Sequence, residues 1–320
     1  MRVLFCESCG GPLEAPWRDL AVVCPHCGAH NLPGQPGAWS APRAPADGRP
    51  RLNLGGRTYL VEGRLGQGAS SVVYRARWVV RLGELVVLKV LAATADRDLF
   101  RREWDTLVAL QASHAEGAAH FTTRLPVPVA HGLIESDRPR PASVFGWKSG
   151  FVHTLEQVGE VHSGGVRGEV MVWVLKRLLE LLGFVHRAGF VHGAVTPEHV
   201  LVHPRDHGAT LVGWTLATPW RPGHTRPLPA TNRRWATFYG GATEATPALD
   251  LAMAARCAQA IAGWHLPGVT RPAPLQRVLD AALSGRREDA WALAEELTAA
   301  SAEAFGPPAY HPLAMPGWEA

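Results

Sequence analysis

Residues 186–202 read HRAGFVHGAVTPEHVLV, and this stretch decides which fold the chain adopts. Before it, residues 170–186 are apolar except for one stripe of charged side chains, which is the pattern of a mostly buried helix. Within the stretch, apolar residues, Gly189, His192 and the pair Pro197-Glu198 recur at a distinctive spacing. The stretch therefore begins where the buried helix ends.

A glycine-containing turn and a lysine-bearing strand lie upstream of this stretch. The segment LGQGASSVV, residues 65–73, places a G-x-G between two strand patterns, so the backbone can turn over a phosphate chain. The strand pattern VVLKV follows, and Lys89 is its single charged residue. Lysine is scarce in this arginine-rich chain, so its place in an apolar strand indicates a specific role.

These segments together resemble the protein kinase family. Residues 186–202 are similar to the catalytic-loop pattern HxxGxVHRDLKPENIL, and residues 65–90 are similar to the glycine-rich loop and the third-strand lysine. The resemblance covers about residues 57 to 300 and points to a bacterial Ser/Thr kinase-like protein. It implies an α+β class and a bilobal protein-kinase-like fold with a β-rich N-lobe and a shortened α-helical C-lobe.

The resemblance also implies roles for individual residues. It places the hinge between the lobes at residues 156–158, and it gives Asp250 the support of the catalytic loop. Glu103 falls inside the apolar face of a helix predicted over residues 98–111, so we expect this carboxylate to pair with Lys89. The alternative is a Glu103 at a solvated helix edge. The residues implied in nucleotide binding are Leu65, Gly66, Gly68, Val73, Lys89 and Glu103.

The chain departs from the family at the residues that perform phosphoryl transfer. Ala194 replaces the Asp that accepts the substrate proton, Thr196 replaces the loop lysine, and His199 replaces the magnesium-binding Asn. Gly213-Trp214-Thr215 stands where the Asp-Phe-Gly triplet follows a strand. Because transfer depends on positioning and on metal that neutralises the phosphates, we predict no catalytic residue and no ordinary kinase activity.

Nucleotide and metal binding are less constrained by the sequence. The phosphate-anchoring side of the pocket is kept, whereas Val87 replaces the alanine that the family has beneath adenine, so the sequence does not decide whether ATP binds. Because the metal-binding Asp is replaced, magnesium is not expected. Nothing in the spacing of the nearby acidic residues requires a metal. Those residues are Glu198, Asp206 and Glu244.

The histidines of this region are interpreted as structural or exposed. His192 matches a structural histidine of the family. His199, His203 and His207 recur every four residues, but Pro204 interrupts any helix that would align them, so we interpret them as loop and surface histidines rather than a second metal site.

Four of the five cysteines form two C-x-x-C pairs near the N-terminus. Two such turns complete a tetrahedral zinc site, so the sequence predicts a small zinc ribbon whose structural zinc and fold form together. Two disulfides are the alternative, which the paired spacing and a reducing compartment disfavour. Cys257 lies in an apolar helical stretch and is interpreted as a buried thiol. The predicted ligands are Cys6, Cys9, Cys24 and Cys27.

Composition supplies the domain boundaries and the expected location. We predict a zinc ribbon over residues 1–32, a Pro/Gly/Ala-rich linker over 33–54, the kinase-like domain over 55–305 and a C-terminal tail over 306–320. No apolar run is long enough to span a membrane and no secretory signal is present, so we expect a cytoplasmic protein.

The net charge of +4 comes from arginines that are scattered along the sequence, which disfavours a nucleic-acid partner.

The function that these features predict is a pseudokinase that acts as a signalling or scaffold protein through protein–protein interaction. One alternative is an atypical active kinase or nucleotidyl transferase that uses displaced acidic residues, which magnesium-dependent turnover would reveal. A second is a zinc-ribbon nucleic-acid-binding regulator, whose binding would depend on salt. The layout and residues 192–208 are also similar to bacterial zinc-ribbon kinase-like proteins, which implies von Willebrand A-domain or phosphatase partners by analogy.

Overall fold

The computed structural model describes residues 50–68, 70–81, 84–92, 94–136 and 139–317, together with the backbone of five short strands among the first 49 residues. The four predicted zinc ligands lie outside the described residues. In the N-terminal strands, β1 pairs with β2 and β5, and β3 pairs with β4, all antiparallel. Their bounds are β1 (Arg2–Phe5), β2 (Pro12–Ala15), β3 (Val22–Val23), β4 (His30–Asn31) and β5 (Trp39–Ser40).

The chain divides into two compact units. The sheet unit comprises Met1–Trp104 and Val127–Trp147, and the helical unit comprises Asp105–Pro126 and Lys148–Ala320. Helix α1 (Arg97–Gln111) passes from the first unit into the second. A β-rich unit followed by a helical unit is the arrangement that the α+β prediction requires.

The sheet unit is built on a six-stranded antiparallel sheet in the order β10-β11-β9-β8-β7-β6. Alternate residues of the central strand β9 (Val86, Leu88 and Val90) are buried on one face, which is the period of two expected for a half-buried strand. Residues 51–54, assigned above to the linker, form β6 and pair with β7. The strands are β6 (Arg51–Leu54), β7 (Arg57–Gln67), β8 (Ser71–Trp78), β9 (Leu85–Leu91), β10 (Pro128–Leu133) and β11 (Pro141–Gly146).

The helical unit packs its longest helix against two others. Helix α4 contacts α6 and α8, and Gly183 of α4 leaves room for the ring of Trp291 on α8. The indole nitrogen of Trp291 donates to the Glu180 carbonyl at 2.9 Å. The helices are α2 (Ala118–Phe121), α3 (Leu155–Val161), α4 (Gly168–Arg187), α5 (Ala236–Tyr239), α6 (Pro247–Ile261), α7 (Ala273–Leu283) and α8 (Ala290–Phe305).

Short strands connect these helices. β12 pairs with β14, β14 with β15, β13 with β16, and β17 with β18, all antiparallel. None of the helices in the described ranges combines the length and the apolar character needed to cross a membrane. The strands are β12 (His153–Thr154), β13 (Phe190–Val191), β14 (Val200–His203), β15 (Gly208–Leu211), β16 (Thr218–Pro219), β17 (Arg226–Pro227) and β18 (Glu244–Ala245).

The predicted hinge position is wrong. Residues 156–158 lie in helix α3 of the helical unit, whereas the chain leaves the sheet unit between Trp147 and Lys148. The physical reason is a capping box, in which the Thr154 hydroxyl accepts from the Gln157 backbone N–H and the Gln157 side chain accepts from the Thr154 N–H. This pair starts a helix immediately after the two-residue strand β12.

The C-terminal tail packs onto the helical unit. Leu313 and Met315 are buried, and His162 hydrogen-bonds the Ala314 carbonyl through Nε2 at 2.8 Å. The ring of Tyr310 stacks on His207 with 4.5 Å between ring centroids. The tail is therefore part of the folded unit up to these residues, and Trp318 lies outside the described residues.

Candidate functional site

The sheet unit contains the predicted buried ion pair. Lys89 of β9 and Glu103 of α1 are 2.6 Å apart between Nζ and Oε2, and they are only 8% and 3% exposed. The pair is confirmed, and the alternative of a Glu103 at a solvated helix edge is wrong. In a buried pair of this kind, removing one partner is strongly destabilising because the other is left without its counterpart.

Cross-strand register places other predicted residues beside Lys89. Val73 of β8 and Ser143 of β11 are its direct partners on the neighbouring strands, so the three side chains share one face of the sheet. Val87 lies two residues before Lys89, hence on the same face, and it is partly exposed. Ser143 is hydrogen-bonded to His131 at 2.9 Å, and the His131 ring stacks on Trp104.

The glycine-containing turn leaves open space above its backbone. Gly66 pairs with Val73, and the Gly68 N–H donates to the Ser71 carbonyl at 2.9 Å. Neither glycine has a positive φ, and a Cβ added at either one would meet no atom closer than 3.9 Å. The protein's own packing therefore does not require glycine at these positions. Leu65, in β7 before the turn, is 49% exposed.

In the helical unit, Asp250 holds the loop that follows β13. Its carboxylate accepts from the backbone N–H groups of His192 and Gly193, each at 2.8 Å, and from His186 Nε2 at 3.0 Å. Asp250 is fully buried in the first turn of α6, where Thr246 caps the helix by accepting from the Leu249 N–H. The predicted support of the loop by Asp250 is confirmed.

His192 is neutral and structural. Its Nε2–H donates to the Val212 carbonyl at 3.1 Å, and its Nδ1 accepts from the Ala194 N–H at 3.2 Å. These two bonds use both ring nitrogens and fix one neutral tautomer. Burial lowers the pKa of His192 to about 4. The ring therefore positions the loop and is not available as a base.

The positions of the two family metal ligands are occupied by a glycine and a histidine ring. Gly213 has φ +75°, and a Cβ built on it would lie 2.8 Å from Cγ of the His199 ring and closer still to two other ring atoms. His199 Nδ1 donates to the Ala194 carbonyl at 2.9 Å, which holds the ring in this place. A side chain at position 213 and the His199 ring therefore compete for the same space.

Trp214 closes the other side of this loop. It is fully buried, and its indole nitrogen donates to the Leu211 carbonyl at 3.0 Å. Its ring meets His192 edge-on, with 4.4 Å between centroids. The loop is thus packed into the core of the helical unit around His192 and Trp214.

The donor set of this loop does not fit magnesium. Mg²⁺ prefers oxygen ligands, usually carboxylates, in octahedral geometry. Ala194, His199 and Gly213 supply no carboxylate, and the Nδ1 of His199 is already hydrogen-bonded. The one carboxylate of the loop, Glu198, lies 3.6 Å from His199 Nε2 but is also held by Asn232 and Arg234. Within the described ranges, no group of three or more His, Cys, Asp or Glu side chains is arranged to hold a metal ion.

The displaced acidic residues have separate partners. Glu198 accepts from Asn232 Nδ2 at 2.7 Å and lies 3.5 Å from Arg234 Nη1. Asp206 lies 3.3 Å from His203 Nε2, and Glu244 is exposed in β18. The structure therefore does not gather these three carboxylates at one point.

Two histidines interpreted above as surface residues belong to packed clusters. His207 lies between the rings of Trp173 and Tyr310, each with its centroid 4.5 Å away, and burial lowers its pKa. His203 meets Phe151 edge-on at 5.4 Å. The surface interpretation is wrong for this pair, because the aromatic partners come from distant parts of the chain.

Cys257 is a buried thiol, as predicted. Its side chain is fully buried, its Sγ donates to the Val195 carbonyl at 3.5 Å, and burial raises its pKa. A thiol that is protonated and inaccessible is a poor nucleophile.

Comparison with known proteins identifies the fold. No family model matches the chain, and no curated protein matches it. Among solved structures it is similar to the BubR1 kinase domain, with a TM-score of 0.60, 14% identity and coverage of 80% of this chain and 83% of that one. It is also similar to vaccinia related kinase 3, with a TM-score of 0.59, 16% identity and coverage of 79% and 90%. The predicted protein-kinase-like fold is confirmed, and identities this low establish the fold alone.

Proposed function

We propose that this protein is a pseudokinase, a kinase-fold protein that works as a signalling or scaffold component by binding partners and does not transfer phosphate. The observation that carries the proposal is the His199 ring, which fills the space beside Gly213 where a metal-binding carboxylate would have to stand. A single substitution at either position does not recreate a metal site, because the two groups exclude each other.

The framework of the catalytic loop is kept while its reactive groups are replaced. Asp250 and His192 hold the loop backbone through buried hydrogen bonds, but the residue at the position of the general base is Ala194. Loss of a positioned base typically lowers the rate by about 10²–10⁴-fold, and loss of the metal ligands adds to this. A loop that is still rigid but chemically inert is the combination expected of a binding protein.

Nucleotide binding is proposed for the sheet unit alone. Lys89 is held in place by its contact with Glu103, and the open space above Gly66 and Gly68 lets a phosphate chain approach the backbone. Val73 borders the same face. We propose that ATP, when it binds, is held by Lys89 and the turn without help from magnesium, and that it regulates partner binding.

The N-terminal cysteines are proposed to hold one structural zinc ion. Four cysteines in two C-x-x-C pairs form a closed tetrahedral site, which leaves no open position for chemistry. Thiolate ligands persist in a reducing compartment, so we propose that the protein lies in the cytoplasm.

Metal analysis of the purified chain is expected to find one zinc per chain, and loss of that metal on Cys24→Ser would support the assignment. A chain with no zinc would refute it.

Phosphoryl transfer is the activity whose absence tests the proposal. The full zinc-loaded chain is incubated with γ-labelled ATP and either Mg²⁺ or Mn²⁺. We expect its rate of phosphate release or transfer to be no higher than that of a Lys89→Met/Glu103→Gln variant. That variant removes the phosphate-anchoring cation without leaving a buried carboxylate uncompensated. Metal-dependent turnover that disappears in the variant would instead establish an atypical enzyme.

A further inference from the structure

One segment of the helical unit contains basic residues and no acidic ones. The chain has 32 basic and 28 acidic residues, and residues 207–243 contain four of the basic ones and none of the acidic ones. The charge of this segment equals the net charge of the chain, because the rest carries 28 residues of each sign. The arginines remain scattered, and the segment differs by the absence of carboxylates among them; its basic residues are Arg221, Arg226, Arg233 and Arg234.

One of these arginines is neutralised by the helical unit itself. Arg234 forms an ion pair with Glu156 and lies 3.5 Å from Glu198 Oε2. The other oxygen of Glu198 accepts from Asn232 Nδ2. The carboxylates that contact this end of the segment are therefore already paired.

The other three arginines carry uncompensated charge. Arg221, Arg226 and Arg233 are exposed, and none of their side chains forms an ion pair or hydrogen bond with another described residue. Exposed arginines without partners keep both their full charge and their bidentate donor geometry for a ligand.

The backbone that presents these arginines is ordered. Arg226 lies in β17 and pairs with Ala245 of β18, and the Arg221 carbonyl accepts from the His224 N–H at 3.0 Å. Just before Arg233, the Asn232 side chain accepts from the Arg234 N–H. Binding to a surface that is already ordered loses less conformational entropy than ordering a flexible loop.

Aromatic side chains lie at the end of the same segment. Trp235 is partly buried, meets Phe238 edge-on at 5.2 Å and has the Arg234 guanidinium 5.1 Å from its ring. Its indole nitrogen finds no hydrogen-bond partner among the described residues. Tryptophan and arginine together are the residue types that dominate protein–protein binding energy.

We propose that residues 221–235, here called the arginine segment, are the docking surface for a partner-protein segment rich in Asp and Glu. The proposal rests on the proposed function, since it names the chemistry of the partner. A protein partner fits better than a nucleic acid, because three free cations supply few phosphate contacts. The exposed Glu244 lies opposite Pro227 and interrupts the positive surface, so the segment offers discrete cationic sites, which a short acidic peptide can match, and no continuous track for a phosphate backbone.

The affinity of the full chain for an acidic peptide tests the proposal. The peptide has about ten residues that alternate Glu and Ser, it carries a fluorescent label, and its binding is measured by fluorescence anisotropy. We expect the variant Arg221→Ala/Arg226→Ala/Arg233→Ala to weaken binding by about tenfold or more, since each charged contact contributes modestly. The matched control Arg97→Ala/Arg205→Ala/Arg286→Ala removes the same charge from exposed arginines outside the segment. It is expected to change the affinity less than about twofold, as distant exposed charges are screened by salt.

Three results would overturn the proposal: no binding of the acidic peptide, an equal loss of affinity in both triple variants, or tighter binding of a single-stranded oligonucleotide that the first variant abolishes. Each would leave the proposed absence of catalysis untouched, because the titration contains no ATP. Conversely, metal-dependent turnover of ATP would refute the proposed function without changing the affinity for the peptide, so the two failures are distinguishable.

Discussion

Replacing Asp250 by alanine is expected to lower the free energy of unfolding by about 3–5 kcal/mol, the largest effect predicted for any single substitution in the helical unit. The change removes the acceptor of two backbone N–H groups and of His186 Nε2, all of them buried. Each donor left without a partner costs about 1–3 kcal/mol, and partial relaxation of the loop keeps the total below the sum. Urea denaturation followed by tryptophan fluorescence measures the difference.

A matched aspartate on the surface provides the control for this prediction. Asp280 is exposed on α7, and its side chain forms no hydrogen bond or ion pair with another described residue, so Asp280→Ala is expected to change the free energy of unfolding by less than about 0.5 kcal/mol. Asp250→Asn keeps an acceptor oxygen and is expected to fall between the two. If Asp250→Ala were as stable as Asp280→Ala, the loop would not depend on this carboxylate, and its preserved geometry would need another explanation.

The proposed function rests on a contrast between the residues that support the loop and the residues at the reactive positions. Asp250 and His192 both make the hydrogen bonds that hold the loop conformation. Ala194, His199 and Gly213 stand where a catalyst would need a base and metal ligands, and two of them are packed against each other. A protein used for binding must keep the first group and is free to lose the second.

Features that depend on local pattern were predictable from the sequence. The position of Glu103 on the helical wheel predicted a carboxylate facing the core, and the structure pairs it with Lys89. The helix predicted over residues 98–111 appears as α1 with almost the same bounds. In both cases the period of the apolar residues contains the information.

Features that depend on side-chain direction or on distant partners were not predictable. The hinge was misplaced because the capping box of Thr154 and Gln157, which starts α3, was not recognised in the sequence. The His199 ring beside Gly213 requires knowledge of how β14 and β15 pair, and the stacking of His207 on Tyr310 joins a loop to the C-terminal tail. Arg234 finds Glu156 only once the chain has folded.

Loss of the Lys89 cation is the second change with a large expected effect. Lys89→Ala alone would leave Glu103 without its lysine at a buried site, which costs about 3–5 kcal/mol and would obscure any effect on ligand binding. The double variant Lys89→Met/Glu103→Gln removes both charges and is expected to fold. Lys176→Met is the matched control, since Lys176 lies on α4 of the helical unit, outside the proposed phosphate site.

Nucleotide binding by the retained cation is expected to be independent of magnesium. ATP at about 100 times its Kd stabilises the folded state by about 2.7 kcal/mol, which raises the melting temperature by about 5 °C for a chain of this size. The Lys176→Met control should show the same shift as the natural chain. The double variant should show no shift, because the phosphates lose their only proposed cationic partner.

The decisive measurement is the ATP-induced shift in melting temperature of the zinc-loaded chain, recorded with magnesium and with a chelator of magnesium. We predict equal shifts in the two conditions and no shift in the Lys89→Met/Glu103→Gln variant. A shift that appears only with magnesium would contradict the proposal that ATP binds without a metal ion. It would require a metal ligand other than Ala194, His199 and Gly213, which supply no carboxylate.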